Sequence, residues 1–313
     1  MKRTWLAAAF VALVACRTTG PGNGGSVEVR VRAGMSLAEL TDSLLAHGVI
    51  RNRYRFRTLA RFRSYEQRVV PGRYHLRQGT DEARVLKLLS REAPAFLLVT
   101  IPEGLTARQV AGLLEEAGVC SAESFLRACT DTLLLGELGI PCTTAEGFLF
   151  PETYQFGTAE QPASMVRRMV RQCFAVLGDL PAAELVPTVT LASIIEKEAR
   201  VPDEFPRIAG VFVNRLKRRL PLQSCATVQY ALPERKEVLA LEDTRYPSPY
   251  NTYLHHGLPP GPICNPGRRA LQSARNPERH DYIFFVARGD GSHIFSRTAA
   301  EHDAACARVR GRR

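Results

Sequence analysis

The sequence predicts an α+β fold, with a small α/β unit first and a larger mixed α+β region after it. Three observations lead there. Strand-like and helix-like patterns are mixed without the regular βαβ alternation of a parallel sheet. A strand–glycine–helix unit occurs twice, with Val29 of one copy matching Val99 of the other. Near the C-terminus, Gly289-Asp290-Gly291 separates the apolar run 282–287 from a short strand pattern at Phe295, which is a hairpin signal. The 313 residues suffice for one large domain or several smaller ones, and 45% are hydrophobic, so a packed core is expected rather than disorder.

In chain order, residues 1–16 come first. Met1-Lys2-Arg3 is a basic head, and 5–15 is an unbroken apolar run of 11 residues. That is too short for a bilayer, which needs about 20, but it suits the h-region of a secretory signal. Leu13-Val14-Ala15-Cys16 resembles a bacterial lipobox, in which the cysteine is lipidated and becomes the new N-terminus. An ordinary signal peptide or a short uncleaved anchor are the alternatives. Residues 17–25 then read as a flexible tether.

The repeat follows. In the first copy, 29–31 alternates as a strand, Gly34 turns the chain, and Ser36 with Glu39 has capping-box spacing for a helix that ends near Gly48. In the second, 99–101, Gly104, Thr106 with Gln109, and Gly118 take the same places. A strand pattern at 72–76 and a helix at 81–90 complete a small domain at 26–96, whose shape resembles the glycan-binding LysM module. It could equally serve only as a spacer, because fold does not imply function. A larger domain spans 97–308, with a first section at 97–157 and a second at 158–308, where the candidate catalytic chemistry lies. Helices are expected there at 161–177, 187–199, 205–219 and 268–275, with a Pro/Gly/Tyr-rich stretch at 246–267.

Charge and cysteines narrow the function classes. The formal net charge is +11, and five of the 42 basic residues are lysine. Genome composition explains such an arginine bias as readily as an anionic partner does. A partner would be acidic lipid headgroups or the carboxylates of peptidoglycan stem peptides. An export signal and the lack of any nucleic-acid motif argue against nucleic acid. The cysteines after Cys16 form no CxxC pair, so a zinc ribbon is not indicated. Their number is odd, so at least one stays free. His255-His256 lacks metal-ligand spacing, and no GxSxG motif, Ser/His/Asp order or phosphate loop occurs.

Chemistry points first to 189–199. Residues 189–195 are apolar or small nearly all round, as in a buried helix, and Pro187 suits a first turn. Glu196 and Glu198 follow at the C-terminal end, where the helix dipole disfavours negative charge. Burial there would raise a carboxyl pKa, as a general acid needs. Equally, the helix could emerge into water with both glutamates solvated. Residues two apart face nearly opposite ways on a helix, so the two cannot act together on one sugar. Glu196 shares its face with Ala192, Ser193 and Ala199, which are small enough to leave room for substrate. The loop Tyr246-Pro247-Ser248-Pro249-Tyr250-Asn251-Thr252-Tyr253 offers stacking faces and hydrogen-bonding groups on a proline-stiffened backbone.

Across 97–305 these segments stand in one order. They are Thr100-Ile101-Pro102-Glu103-Gly104, Glu146-Gly147-Phe148-Leu149-Phe150-Pro151-Glu152-Thr153-Tyr154, Leu191-Ala192-Ser193-Ile194-Ile195-Glu196-Lys197-Glu198, Val211-Phe212-Val213-Asn214-Arg215-Leu216, Leu222-Gln223-Ser224, Ser248-Pro249-Tyr250-Asn251-Thr252-Tyr253 and Gly257-Leu258-Pro259-Pro260-Gly261-Pro262-Ile263. The set resembles the YceG-like, endolytic murein transglycosylase family. The resemblance implies a lytic transglycosylase of peptidoglycan, acting within nascent strands and in contact with peptidoglycan synthases. It implies that Glu196 is catalytic, with no metal or cofactor. It also implies a membrane-held protein on the periplasmic side of the inner membrane, here anchored through lipid on Cys16 rather than through a transmembrane segment. The candidate substrate-binding residues are Glu146, Gln223, Thr227, Tyr250, Asn251, Thr252 and Tyr253. Where many members carry Asp-Pro after Leu-Gln-Ser/Thr, this chain has Cys225-Ala226, which suggests a Cys225–Cys264 disulfide across the cleft. A hydrolytic muramidase is the alternative enzyme and needs a second carboxylate, from Glu146, Glu152 or Asp243. A non-catalytic peptidoglycan-binding scaffold is the alternative outside catalysis.

Overall fold

The computed structural model describes residues 25–311 except 33, 63–64, 66–67, 71, 91–95, 158–159, 235 and 237. The segments read from the sequence as a signal and a tether, with Cys16, therefore lie, up to residue 24, outside the described residues. The chain is mixed α+β, with helices predominating and small antiparallel sheets.

The first sheet pairs β1 (Ser26–Val31) with β2 (Gly72–Arg77), Val29 opposite Tyr74. Between them run α1 (Leu37–Ala46) and α2 (Arg53–Phe62), and α3 (Glu82–Leu89) follows. Ser36 and Glu39 form the capping box that their spacing predicts, and Gly48 has φ 68° just beyond the helix. These elements bury their own core, which includes Val29, Leu44, Phe56, Val85, Leu86 and Leu89. The 26–96 region thus holds a hydrophobic cluster separate from that of the later residues.

The second copy starts with β3 (Phe96–Thr100), leading into α4 (Ala107–Glu116). Thr106 and Gln109 form the second capping box, and Gly118 has φ 77°. Here β3 pairs with β4 (Thr153–Gly157), Val99 opposite Tyr154. The short helices α5 (Ala122–Cys129) and α6 (Thr132–Glu137) lie between, each opened by a side-chain cap from Ser121 or Asp131. Neither these helices nor β4 was expected, because each is too short to show a clear period.

The remaining helices surround α8 (Ala182–Glu198). They are α7 (Pro162–Leu177), α9 (Phe205–Lys217), α10 (Cys225–Ala231) and α11 (Arg268–Arg275). Helix α8 packs on α9, α10 and α11, and it is buried on all sides from Val189 to Ile195. It begins at Ala182, earlier than the sequence suggests, so Pro187 lies inside it instead of in its first turn. The proline removes one ladder donor close to the helix start, where the surrounding packing outweighs that loss. The hairpin of β5 (Phe284–Ala287) and β6 (His293–Ser296) and the final helix α12 (Ala299–Arg310) close the fold. Gly289 and Gly291 supply positive φ in the hairpin turn. No single described helix is long and apolar enough to cross a membrane.

Candidate active site

Glu196 occupies the last turn of α8. Its Oε2 accepts the N–H of Gly267 at 3.0 Å, and Gly267 is the N-cap of α11. The carboxyl group therefore sits between the negative end of one helix and the positive end of another. Burial prevails and raises its pKa above the ordinary carboxylate value. The Gly267 N–H works against that shift, the charge of Glu103 adds to it, and Lys197 and Arg269 oppose it. No described residue hydrogen-bonds Oε1. The result is a half-buried acid with one oxygen fixed and the other open. The reading in which both glutamates are simply solvated is not what the fold produces.

Asn265 builds the frame around this carboxyl. Its Oδ1 accepts the N–H groups of Gly147 at 2.8 Å and Leu149 at 2.9 Å. Its Nδ2 donates to Leu105 O at 2.8 Å and Glu146 Oε1 at 3.1 Å. The Asn265 backbone adds bonds to Leu105 O and from Gly104 N. One fully buried side chain thus ties the 101–107 turn, the 145–149 turn and the start of α11 together. Lys197 closes the ring by donating to Gly104 O at 3.1 Å.

Glu198 belongs to a different environment, as the helical spacing requires. It accepts Ser224 Oγ at 2.5 Å, and His293 is among the groups that act on it. Burial raises its pKa too. His293 in turn pairs with Glu204, Nδ1 to Oε2 at 2.7 Å. Glu198 is half-buried like Glu196, but the Ser224, His293 and Glu204 around it are buried and bonded to protein groups, so this side reads as a scaffold.

The YceG-like family model matches residues 29–308. The chain belongs to that family. An endolytic murein transglycosylase of Bacillus subtilis is 28% identical over 90% of this chain and 84% of its own length. One from Streptococcus pneumoniae is 29% identical over 88% of this chain, which spans 57% of that longer relative. A solved structure of a YceG-like protein from Listeria monocytogenes superposes with TM-score 0.62 at 30% identity, covering 90% of this chain and 98% of that one.

Within this YceG-like chain the other candidate residues fall into distinct groups. Glu146 is buried and accepts the Ala107 N–H at 3.0 Å, which caps the start of α4, and burial pushes its pKa up to about 7. Its hydrogen bonds go to protein groups, so it is a frame residue by position. Gln223 is exposed, holds φ 50°, and is fixed by Arg215 Nη2 at 2.5 Å. A left-handed non-glycine residue costs roughly 1–3 kcal/mol and tends to mark functional surfaces. Asn251 is fully buried, with Nδ2 donating to Thr244 O and Tyr246 O. The hydroxyl groups of Thr252 and Thr227 bond each other at 2.9 Å, and Thr252 also accepts Ser224 N. The side-chain hydrogen bonds of these three residues thus run to protein groups in and beside the loop. Tyr250 and Tyr253 are half-buried, one against Tyr230 and the other against Cys225 Sγ at 3.2 Å.

Three further expectations are corrected. Cys225 and Cys264 form no disulfide, and both are free thiols. Cys264 is buried and donates to Ser193 O, whereas exposed Cys225 lies beside Tyr253. The face of Ala192 and Ser193 is not open to substrate either, since Ile263 N donates to Ser193 Oγ at 3.0 Å and fills it. Asp243 is paired with Lys236 at 2.5 Å and with Ala240 N, so it serves its own turn. Glu152 is exposed beside β4, with its carboxyl turned back to Thr153 N.

Two surface cavities, of about 860 and 570 Å³, are lined from Gly210 to Asp281 and from Glu160 to Ala175, and neither includes Glu196. The perturbed carboxyl is the better guide to the chemistry, because a raised pKa is what an acid catalyst needs. The residues around Glu196 that sequence reasoning missed are Glu103, Asn265 and Gly267. A signal existed for the first: where the first copy has Ala33 before its turn glycine, the second has Glu103.

Proposed function

We propose that this YceG-like chain is an endolytic peptidoglycan lytic transglycosylase, with Glu196 as its acid–base group. The observation that supports it most is the half-buried Glu196 carboxyl, raised in pKa, held on one oxygen and open on the other. Protonated Glu196 gives its proton to the oxygen between MurNAc and GlcNAc as the bond to C1 breaks. The resulting carboxylate then takes the proton of the muramoyl C6 hydroxyl as that oxygen attacks C1. The product is a 1,6-anhydroMurNAc end, and no water is consumed. An intramolecular nucleophile gains its rate from proximity. The names of the relatives support the substrate and the reaction class.

The same reading extends to placement. Lipid on Cys16 would hold the chain at the periplasmic side of the inner membrane. The 26–96 region would bind glycan in the manner of a LysM module, and synthases would supply nascent strands whose elongation the cut ends. A hydrolytic muramidase stays as the second reading because Glu103, another carboxylate, neighbours Glu196.

Product mass separates the two. Digestion of purified peptidoglycan is expected to yield muropeptides one water lighter than hydrolytic products, with no new reducing ends. Reducing MurNAc ends as the main product would contradict the proposal.

A further inference from the structure

Glu103 stands one residue before Gly104 in the turn between β3 and α4, and it is exposed. Its carboxyl group rests on the Cα of Gly267. A Cβ added to Gly267 would meet Glu103 Oε1 at 1.9 Å and Cδ at 2.2 Å. Gly267 has φ −77° and ψ 175°, an extended conformation open to any residue. Its backbone angles do not call for glycine, and a Cβ there would push the Glu103 carboxyl group aside.

The same Gly267 gives its N–H to Glu196 at 3.0 Å. Two acidic side chains thus meet across one glycine. No described residue pairs with the Glu103 carboxyl. An exposed carboxylate is free to turn into water, away from a second acid. This one lies against the site instead, which is the pattern of a functional group more than of a packing one.

We propose that Glu103 is a second catalytic carboxylate, facing the positive charge that develops on the muramoyl ring while Glu196 moves the proton. The inference rests on the acid–base role of Glu196. When the C1–O bond breaks, its electron pair leaves with the GlcNAc oxygen, which Glu196 protonates. The muramoyl ring is left cationic at C1. A negative charge nearby lowers the energy of that state. The C6 oxygen then supplies the electron pair that closes the anhydro ring, and its proton returns to Glu196. Glu103 forms no covalent bond in this sequence.

The charge of Glu103 also acts on Glu196 directly. The groups facing Glu196 are Glu103 from the turn, Lys197 on α8, and Arg269 and the Gly267 N–H on α11. Buried Cys264 is a further neighbour. Of these charged groups Glu103 is the one that favours the protonated acid. Its removal therefore moves the alkaline limb of the pH–rate profile to lower pH.

The test uses the purified chain and peptidoglycan sacculi, with release of anhydro-muropeptides followed from pH 4 to 9. Glu103→Gln is expected to cut the maximal rate roughly 100-fold and to shift the alkaline limb downward. Gly267→Ala displaces the Glu103 carboxyl without removing its charge, and is expected to lose about 10-fold and shift the limb the same way. Thermal melting confirms folding of each variant. A Glu103→Gln rate within about twofold of wild type, with an unmoved limb, overturns the inference, as does a Gly267→Ala enzyme indistinguishable from wild type. Activity surviving in Glu196→Gln would sink the acid–base reading itself, so the two failures are distinguishable.

Discussion

Gly34 and Gly104 turn the chain at matching points of the two strand–helix copies, with φ 78° and 76°. A Cβ on Gly34 would meet nothing within 4 Å, whereas one on Gly104 would stand 3.5 Å from Glu196 Cγ and 3.7 Å from Lys197 Nζ. Both copies carry a complete capping box and a positive-φ glycine after the helix. Backbone logic is therefore shared, and what differs is the company of the turn. The first copy closes on β2 and its own small core. The second receives β4, the Asn265 bonds and the Glu146 carboxyl, and its turn forms one wall of the Glu196 site. A single local unit closes a small core in one place and borders the candidate site in the other because of the residues brought to it from far along the chain.

The largest test of that contrast is Asn265→Ala. It leaves Gly147 N, Leu149 N and Glu146 without their side-chain partner. A loss of about 3 kcal/mol or more is expected, read by denaturant unfolding of the larger core, while the 26–96 core unfolds as in wild type. Equal destabilisation of both would break the contrast.

Glu146 gives the next effect. Its pKa in the fold is raised from 4.5 to about 7, so the folded state holds the proton more tightly than the unfolded chain does. Its stabilising contribution is complete below about pH 4.5 and falls as pH rises to about 7. The melting temperature is expected to decline across that window, and Glu146→Gln should flatten the decline.

Gly34→Ala and Gly104→Ala sharpen the comparison most cleanly. Each forces a Cβ into left-handed backbone and costs about 1–2 kcal/mol. The melting temperatures should fall alike, but only Gly104→Ala should change the rate of glycan cleavage. Smallest are Ser36→Ala and Thr106→Ala, about 1 kcal/mol each for a lost cap. Those losses should match within measurement if the two copies are built alike.

Local structure was legible where a short pattern decides it. The capping boxes at Ser36 and Thr106, the glycines at 48 and 118, and the helices at 162–177 and 268–275 follow from spacing. The start of α8 was not, since Pro187 marks a boundary by propensity that tertiary packing overrides. At the site, spacing could place Glu196 and Glu198 on opposite faces but could not say which face meets substrate, and the family pattern made that choice. Asn265 and Glu103 escaped because their roles depend on contacts with residues distant in sequence, Gly147 for one and Gly267 for the other. The internal partners of Asn251 and Thr252 were hidden for the same reason: polar side chains in a rigid loop suggest a ligand, and only the fold shows that they also bond protein groups.

The central claim is that Glu196 moves the proton. The most direct measurement compares purified wild type with Glu196→Gln on intact peptidoglycan, with folding checked by thermal melting. An amide keeps the shape and can still accept the Gly267 N–H, but it has no acidic proton to give. The account predicts a variant that folds, binds glycan and releases no anhydro-muropeptides. A folded Glu196→Gln enzyme that still makes them at a comparable rate would contradict it.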